Sequence, residues 1–183
     1  MNLEVKQEPK QIIKSTFVLG GARSGKSLFA ETLLEKWTEK CIYIATAEPK
    51  DKEMSLRIKE HQKRRPSSWS TIEAPLELVS VINKEANNKT AIIVDCLTIW
   101  LSNLIYMERD IEIESLSLVN LLGKKPCRII LVSNEVGLGI VPENALARSF
   151  RDKAGRLNQL IAKAADEVFF INAGLSISLK EMQ

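Results

Sequence analysis

The chain has 183 residues, of which 45% are hydrophobic and 27% are charged, and its formal net charge is +3. This length and composition are typical of one globular domain with its own core. The 26 basic and 23 acidic residues are too evenly balanced to indicate a nucleic-acid-binding protein. No apolar run approaches the roughly 20 residues needed to span a membrane, and the start, MNLEVKQEPKQ, lacks the apolar stretch of a signal peptide. We therefore expect a cytoplasmic protein.

After the polar residues 1–14, which we expect to form a flexible extension, the sequence alternates between apolar runs and amphipathic segments. The expected strands are residues 16–20, 41–47, 91–98, 128–136, 167–174 and 175–180, the last at a sheet edge. The expected helices are residues 27–37, 51–64, 75–86, 98–107, 111–122 and 143–165. Nearly continuous apolar strands between helices predict a mostly parallel sheet covered on both faces. Residues 15–183 should therefore form one α/β domain.

The three cysteines lie in or beside these apolar runs. Cys41, Cys96 and Cys127 are an odd number and lack the paired spacing of a metal site. We expect them to be buried thiols in a reducing compartment.

A glycine-rich loop joins the first strand to the first helix. Its sequence, GGARSGKS, fits the P-loop pattern G-x-x-x-x-G-K-[ST] in the strand–loop–helix context that the motif requires. The predicted phosphate-binding residues are Gly20, Gly21, Ala22, Arg23, Ser24, Gly25, Lys26 and Ser27. In this motif the glycines bring backbone amides to the phosphates, Lys26 would reach the β- and γ-phosphates, and Ser27 would bind Mg²⁺. The alternative is a glycine turn that only connects the two elements.

Two acidic residues end apolar strands. Asp95 follows the run AIIV, where a metal-binding acid is expected if its strand lies beside the P-loop strand. The alternative for Asp95 is capping of the next helix. Glu135 ends the strand at 128–136, and the sequence leaves open whether it contacts the site or anchors a loop.

The chain's only histidine, His61, lies in the predicted helix 51–64. Arg64 and Arg65 follow it within a turn, and Pro66 ends the helix. By itself, this pattern favours a packed or solvated histidine beside a solvated basic face over catalysis.

Four segments taken together resemble a known family: GGARSGKS, YIATAEPKDKEMSLRIKEHQKRRPSSW, VDCLTIWLSN and VSNEVGLGIVPENALARSFRDKAGRLNQLIAKAADEV. They resemble adenosylcobinamide kinase/adenosylcobinamide-phosphate guanylyltransferase from about Thr16 to Lys180, and the last segment is the most specific. The resemblance implies a RecA-like P-loop fold that commonly assembles as a trimer. It implies phosphorylation of the aminopropanol hydroxyl of adenosylcobinamide by ATP or GTP. GMP would then pass from GTP to that phosphate through a guanylylated histidine, with release of pyrophosphate.

The resemblance also assigns site residues. It makes His61 the guanylyl acceptor, acting with Lys26 as the catalytic residues. Some members carry two adjacent histidines here, whereas this chain has Glu60 before His61. Further nucleotide contacts fall on Ala45, Thr46, Ala47, Gln62, Lys63, Arg64, Arg65, Glu73 and Asp95. Mg²⁺ would be held by Ser27 and Asp95.

Two other functional classes remain open from the sequence. One is a monofunctional small-molecule P-loop kinase, and the other is a RecA-like regulatory ATPase module. The apolar run LTIWLSNLIYM at 97–107 has more apolar residues than one buried face needs, which is suggestive of the homotrimer that the resemblance implies. We expect nucleotide and corrinoid substrates, with no nucleic-acid partner and no membrane span.

Overall fold

The computed structural model describes residues 15–35, 40–49, 52–124 and 126–180. Within helix 52–64 it leaves undescribed the side chains of Glu53, Met54, Arg57, Lys59, His61 and Arg64. The strands are β1 (Ser15–Gly20), β2 (Lys40–Ala45), β3 (Ser70–Glu73), β4 (Thr90–Asp95), β5 (Arg128–Asn134), β6 (Glu167–Asn172) and β7 (Leu175–Lys180). The helices are α1 (Lys26–Glu35), α2 (Lys52–Arg64), α3 (Leu78–Glu85), α4 (Leu97–Tyr106), α5 (Ile111–Leu122) and α6 (Ala145–Ala164).

The strands form one seven-stranded sheet in the order β3-β2-β4-β5-β1-β6-β7. Strands β1 to β6 pair in parallel, and only β7 is antiparallel, forming a hairpin with β6 at the sheet edge. The predicted mostly parallel α/β domain, with 175–180 as its edge strand, is confirmed. The expected extension at 1–14 lies outside the described residues.

Strand β3 was missed by the sequence prediction. Its four residues, Ser-Thr-Ile-Glu, are mostly exposed, and only Ile72 packs against the core, so no apolar run marks it. It pairs with β2 so that Glu73 lies opposite Ala45, which in turn lies opposite Asp95. This short strand therefore brings Glu73 to the same end of the sheet as the predicted acid.

The two faces of the sheet bury separate apolar clusters because alternate strand residues point to opposite sides. Ile92 packs with Leu78 and Trp100 on one face, whereas Ile93 packs with Leu34 of α1 on the other. Helices thus cover both faces, as predicted. All three cysteines are buried free thiols, which confirms that part of their interpretation.

Helix α4 is buried on most of its circumference. Leu97, Trp100, Leu101 and Leu104 are fully buried within the chain itself. Most of the apolar excess of residues 97–107 is therefore used in the chain's own core, whereas Tyr106 and Met107 at its end are exposed. None of the helices in the described ranges is long and apolar enough to cross a bilayer.

Candidate nucleotide-binding site

An open cleft of about 500 Å³ lies where the parallel strands end and α1 begins. Ligand sites of open α/β sheets form at this carboxyl edge, where loops and helix N-termini face the ligand. Its lining combines the phosphate loop with residues from β2, α2, β3, β4 and β5. The lining residues are Ala22, Arg23, Ser24, Gly25, Lys26, Ser27, Leu28, Tyr43, Ala45, Ala47, Ile58, Glu60, Gln62, Arg65, Thr71, Glu73, Asp95, Cys96, Ile99 and Asn134.

The phosphate loop has a backbone that requires glycine. A Cβ atom at Gly20 would lie 2.2 Å from the Ile171 carbonyl oxygen, and Gly25 has a φ of +100° that side chains rarely adopt. Lys26 is the first residue of α1, and its Nζ donates to the Gly21 carbonyl at 2.6 Å. The lysine side chain therefore folds back along the loop, where anionic oxygens would be bound.

Ser27, Asp95 and Tyr43 meet on the floor of the cleft. The Ser27 hydroxyl donates to Asp95 Oδ2 at 2.7 Å, and the Tyr43 hydroxyl donates to the same oxygen at 2.8 Å. The strand of Asp95 does not lie directly beside the P-loop strand, because β5 lies between β1 and β4. Asp95 still reaches the loop, since Ser27 extends from the first turn of α1 towards β4. The contact joins the two residues that were predicted to bind the metal.

The pair Ser27–Asp95 fits a magnesium ion. Hydroxyl and carboxylate oxygens are hard donors, and Mg²⁺ in nucleotide sites is held by one or two such groups plus water and phosphate oxygens. Among the described residues no cluster of three or more His, Cys, Asp or Glu side chains could hold a metal. A closed protein cage is therefore absent from that part of the chain, and the donors present suit a nucleotide-bound Mg²⁺.

Arg65 covers Tyr43. Its guanidinium carbon lies 3.7 Å from the centre of the Tyr43 ring, and its Nη1 donates to Thr71 Oγ1 at 2.8 Å. Burial, and then the charge of Asp95, raises the pKa of the Tyr43 phenol far above its ordinary value. The phenol therefore stays protonated and acts as a permanent hydrogen-bond donor to Asp95. The row Arg65–Tyr43–Asp95–Ser27 links the α2 side of the cleft to the phosphate loop.

The residues at the end of β2 and in the turn after it differ in whether they face the cleft. Ala45 and Ala47 line the cleft, whereas Thr46 is fully buried. The Thr46 hydroxyl donates to the Cys96 carbonyl at 2.8 Å and accepts from the Cys96 N–H at 2.9 Å. We therefore infer that Thr46 supports the strand end carrying Asp95, and that its side chain does not contact nucleotide.

Replacing Thr46 with valine should destabilise the protein by about 1–3 kcal/mol, the cost of leaving the buried Cys96 N–H without a partner. Thr46→Ser keeps the hydroxyl and is the matched control, for which we expect near-wild-type stability. The free energy of unfolding in urea measures both. A valine variant as stable as the serine variant would contradict the supporting role.

The α2 segment contributes some of its predicted residues to the cleft. Gln62 and Arg65 line it, together with Ile58 and Glu60, whereas Lys63 is exposed and is not among the lining residues. His61 lies in the last turn of α2. The side chains of His61 and Arg64 lie outside the described residues, so their predicted contacts stay predictions.

The two further carboxylates differ in role. Glu73, at the end of β3, lines the cleft. Glu135 does not line it, and its carboxylate accepts from the Gly137 N–H while its own N–H donates to the Gly20 carbonyl at 2.9 Å. These contacts favour the loop-anchoring interpretation of Glu135.

Sequence reasoning missed Tyr43 and Asn134 in this cleft. Tyr43 was read as one more apolar strand residue in CIYIATA, although a buried tyrosine needs a partner for its hydroxyl. Asn134 is the last residue of β5, and a polar residue at the carboxyl end of a parallel strand is the available signal. Cys96 also lines the cleft, and burial followed by the charge of Asp95 raises the pKa of its thiol to about 11.

The sheet, the phosphate loop and the Ser27–Asp95 pair together define a P-loop nucleotide-binding protein. The fold resembles the assembled ATPase EscN of the enteropathogenic E. coli type III secretion system, with a TM-score of 0.54 and 10% identity over 91% of this chain and 48% of that one. It also resembles PH0250 of Pyrococcus horikoshii OT3, with a TM-score of 0.50 and 10% identity over 93% and 87% of the two chains. These likenesses show the fold alone.

Sequence comparison identifies the family. Residues 16–179 match the family model described as cobinamide kinase / cobinamide phosphate guanyltransferase, and the chain belongs to that family. It is 47% identical to the bifunctional adenosylcobalamin biosynthesis protein CobP of Pseudomonas aeruginosa, over 89% of this chain and 95% of that protein. It is 39% identical to the bifunctional adenosylcobalamin biosynthesis protein CobU of Escherichia coli K12, over 89% of this chain and 98% of that protein.

Proposed function

We propose that this protein phosphorylates the aminopropanol hydroxyl of adenosylcobinamide with ATP or GTP, and then transfers GMP from GTP to the product through a guanylylated His61. The final products are adenosylcobinamide-GDP and pyrophosphate. One observation carries the proposal: the phosphate loop and α2, the helix holding the chain's only histidine, border the same cleft. Family membership over residues 16–179 supplies the substrate class.

In the first reaction the substrate hydroxyl oxygen attacks the γ-phosphorus, and the bond from that phosphorus to the β-phosphate oxygen breaks. Such a transfer depends on positioning and on neutralising charge. Lys26 supplies positive charge at the phosphate loop, and Arg65 supplies it from the α2 side. Mg²⁺, held by Ser27 and Asp95, would neutralise phosphate charge when bound. Either Asp95 or Glu73 would take the hydroxyl proton.

In the second reaction an imidazole nitrogen of His61 attacks the α-phosphorus of GTP and expels pyrophosphate. A phosphate oxygen of adenosylcobinamide phosphate then attacks the same phosphorus, which breaks the P–N bond and regenerates the histidine. Imidazole is a neutral nucleophile near pH 7 and also a good leaving group. Both reactions use one nucleotide site if the acceptor is repositioned between them.

The experiment that tests the proposal supplies the two nucleotides in sequence. Adenosylcobinamide and ATP should give adenosylcobinamide phosphate, and later addition of GTP should give adenosylcobinamide-GDP, both followed by mass spectrometry. Formation of the phosphate alone would support the monofunctional kinase. Nucleotide hydrolysis with no corrinoid product would support the regulatory ATPase.

Tyr43→Phe should raise the Mg²⁺ concentration needed for half-maximal phosphorylation by about 10- to 100-fold, as loss of outer-shell hydrogen bonds does at other metal sites. The reason is that Asp95 loses the hydroxyl that orients it, while the ring beneath Arg65 is kept. Tyr106→Phe is the matched control, because Tyr106 is 78% exposed. An unchanged Mg²⁺ dependence in Tyr43→Phe would show that the hydroxyl does not orient the metal-binding carboxylate.

The proposed assembly is a homotrimer in the cytoplasm, and the family resemblance supports the trimer. Apolar side chains exposed on the described surface include Leu138, Ile140 and Val141 after β5, and Leu175 and Ile177 on β7. Large contiguous apolar patches on a protein surface often mark sites of protein–protein interaction. Light scattering across micromolar concentrations should give three times the chain mass, and a monomer mass throughout would contradict the assembly.

A further inference from the structure

We propose that the loop between β5 and α6, residues 135–144, binds the corrin ring of the acceptor, with Leu138, Ile140 and Val141 packing against the ring. This inference rests on the proposed function and deepens it, because it places the bulk of adenosylcobinamide outside the nucleotide cleft. Three observations carry the proposal: where the loop begins, how it is held, and which side chains it exposes.

The β5–α6 loop begins at the phosphate loop. Asn134, the last residue of β5, lines the cleft and is paired with Gly20. The next residue, Glu135, donates its N–H to the Gly20 carbonyl at 2.9 Å. The acceptor oxygen has to touch the transferred phosphorus, and a short aminopropanol arm joins that oxygen to the ring. The ring must therefore lie on a surface beside the phosphate loop, and the β5–α6 loop is such a surface.

Hydrogen bonds hold this loop at both ends. The Glu135 carboxylate accepts from the Gly137 N–H. At the other end, Arg148 Nη1 donates to the Pro142 carbonyl at 2.9 Å, and the Asn144 side chain accepts from two N–H groups in the first turn of α6. A loop that is already held in place loses little conformational entropy when a ligand binds.

The middle of the loop exposes aliphatic side chains. Leu138 is 81% exposed, Ile140 is 96% exposed and Val141 is 60% exposed. Leaving such side chains in water forgoes the free energy that contact with an apolar surface would supply. Exposed apolar residues that lie together beside a cleft are a mark of a ligand-binding surface.

The chemistry of the two substrates assigns them to different sides of the cleft. The corrin ring carries methyl groups and uncharged carboxamides at its edge, so it suits the aliphatic β5–α6 loop. Helix α2, which connects β2 to β3 on the other side of β4 from β5, has the mostly charged or polar sequence KEMSLRIKEHQKR. The negatively charged nucleotide suits this basic segment and the phosphate loop. The aliphatic surface is therefore left for the corrinoid.

The test replaces Leu138 and Ile140 with serine, singly and together. Ile140→Leu is the conservative variant, because it keeps the apolar area. Ile113→Ser is the matched control, because Ile113 is 63% exposed on α5 and is not among the residues that line the cleft.

Three quantities are measured on each variant. They are the KM and kcat for phosphorylation of adenosylcobinamide, the Kd of adenosylcobinamide from equilibrium dialysis with a non-hydrolysable ATP analogue, and the rate of protein labelling by GTP labelled at the α-phosphate. We expect each serine substitution to raise KM and Kd about 10-fold through lost apolar contact, and the double variant to raise both further. The kcat and the labelling rate should stay unchanged, and Ile140→Leu and Ile113→Ser should behave as the wild type.

Wild-type KM and Kd in the double variant would overturn the proposal and leave the proposed function standing. An equal loss of GTP labelling would also overturn it, because the loop would then shape the nucleotide site. A double variant with a lower mass than the wild type in light scattering would show that the loop is a contact between copies of this chain, and would overturn it too. If the wild type binds adenosylcobinamide without phosphorylating it, the proposed function fails instead, and the Kd values still test the loop with the same expected increase.

Discussion

Lys26→Ala is expected to abolish phosphorylation and GMP transfer together, each by about 10³-fold or more, because one lysine supplies the positive charge at a phosphate loop that both reactions use. The side chain lies along that loop, with its Nζ 2.6 Å from the Gly21 carbonyl, and it lines the cleft. Rates of both reactions, measured with saturating acceptor, test the expectation.

Lys89→Ala is the control for Lys26→Ala, since Lys89 is exposed in the turn before β4. Both variants should unfold cooperatively in urea, which would show that lost activity is not lost fold. Wild-type turnover of the Lys26 variant in both assays would contradict the shared site. Loss of one reaction alone would mean that the two reactions use separate nucleotide sites.

His61→Asn is expected to remove GMP transfer and spare most of the phosphorylation. Phosphoryl transfer to a hydroxyl needs no covalent enzyme intermediate, whereas GMP transfer by way of the enzyme needs a nucleophile. GTP binding should also be retained, because Lys26, Ser27 and Asp95 are unchanged. The two rates are measured in one preparation, with adenosylcobinamide and ATP in one assay and adenosylcobinamide phosphate and GTP in the other.

The paired assays serve as each other's control for His61→Asn. An equal loss of both activities would mean that His61 shapes the nucleotide site without acting as a nucleophile. Retention of both would place the GMP acceptor on another residue. His61 would then be a packed or solvated histidine, as its local sequence favours.

The parts of the fold that follow from local pattern were predictable. Runs such as IIV in β4 and the glycine-rich junction before α1 specify strands and the phosphate loop through side-chain periodicity and backbone freedom. The order of strands is not a local property, so the sequence could not show that β5 lies between the P-loop strand and the strand of Asp95. Strand β3 escaped prediction because Ile72 is its only apolar residue.

The candidate site was predictable where a motif carries the chemistry. The P-loop pattern predicted Lys26 and Ser27, and the position at a strand end predicted Asp95. All three residues line the cleft. Tyr43 could not be recognised as a partner of Asp95, because the contact joins two neighbouring strands, β2 and β4, that are far apart in the sequence. For Thr46, which the resemblance assigns to nucleotide, the sequence could not show that its hydroxyl bonds to the backbone of Cys96.

The measurement that tests the central claim most directly is covalent labelling of the protein by GTP carrying a label on its α-phosphate. The account predicts one GMP per active site, lost in acid and stable in base as a phosphoramidate is, located on the peptide that contains His61, and discharged by adenosylcobinamide phosphate. GTP labelled at the γ-phosphate should leave no label on the protein, because that phosphate leaves with pyrophosphate. Wild-type protein that forms adenosylcobinamide-GDP with no label on this peptide would contradict the guanylylated histidine.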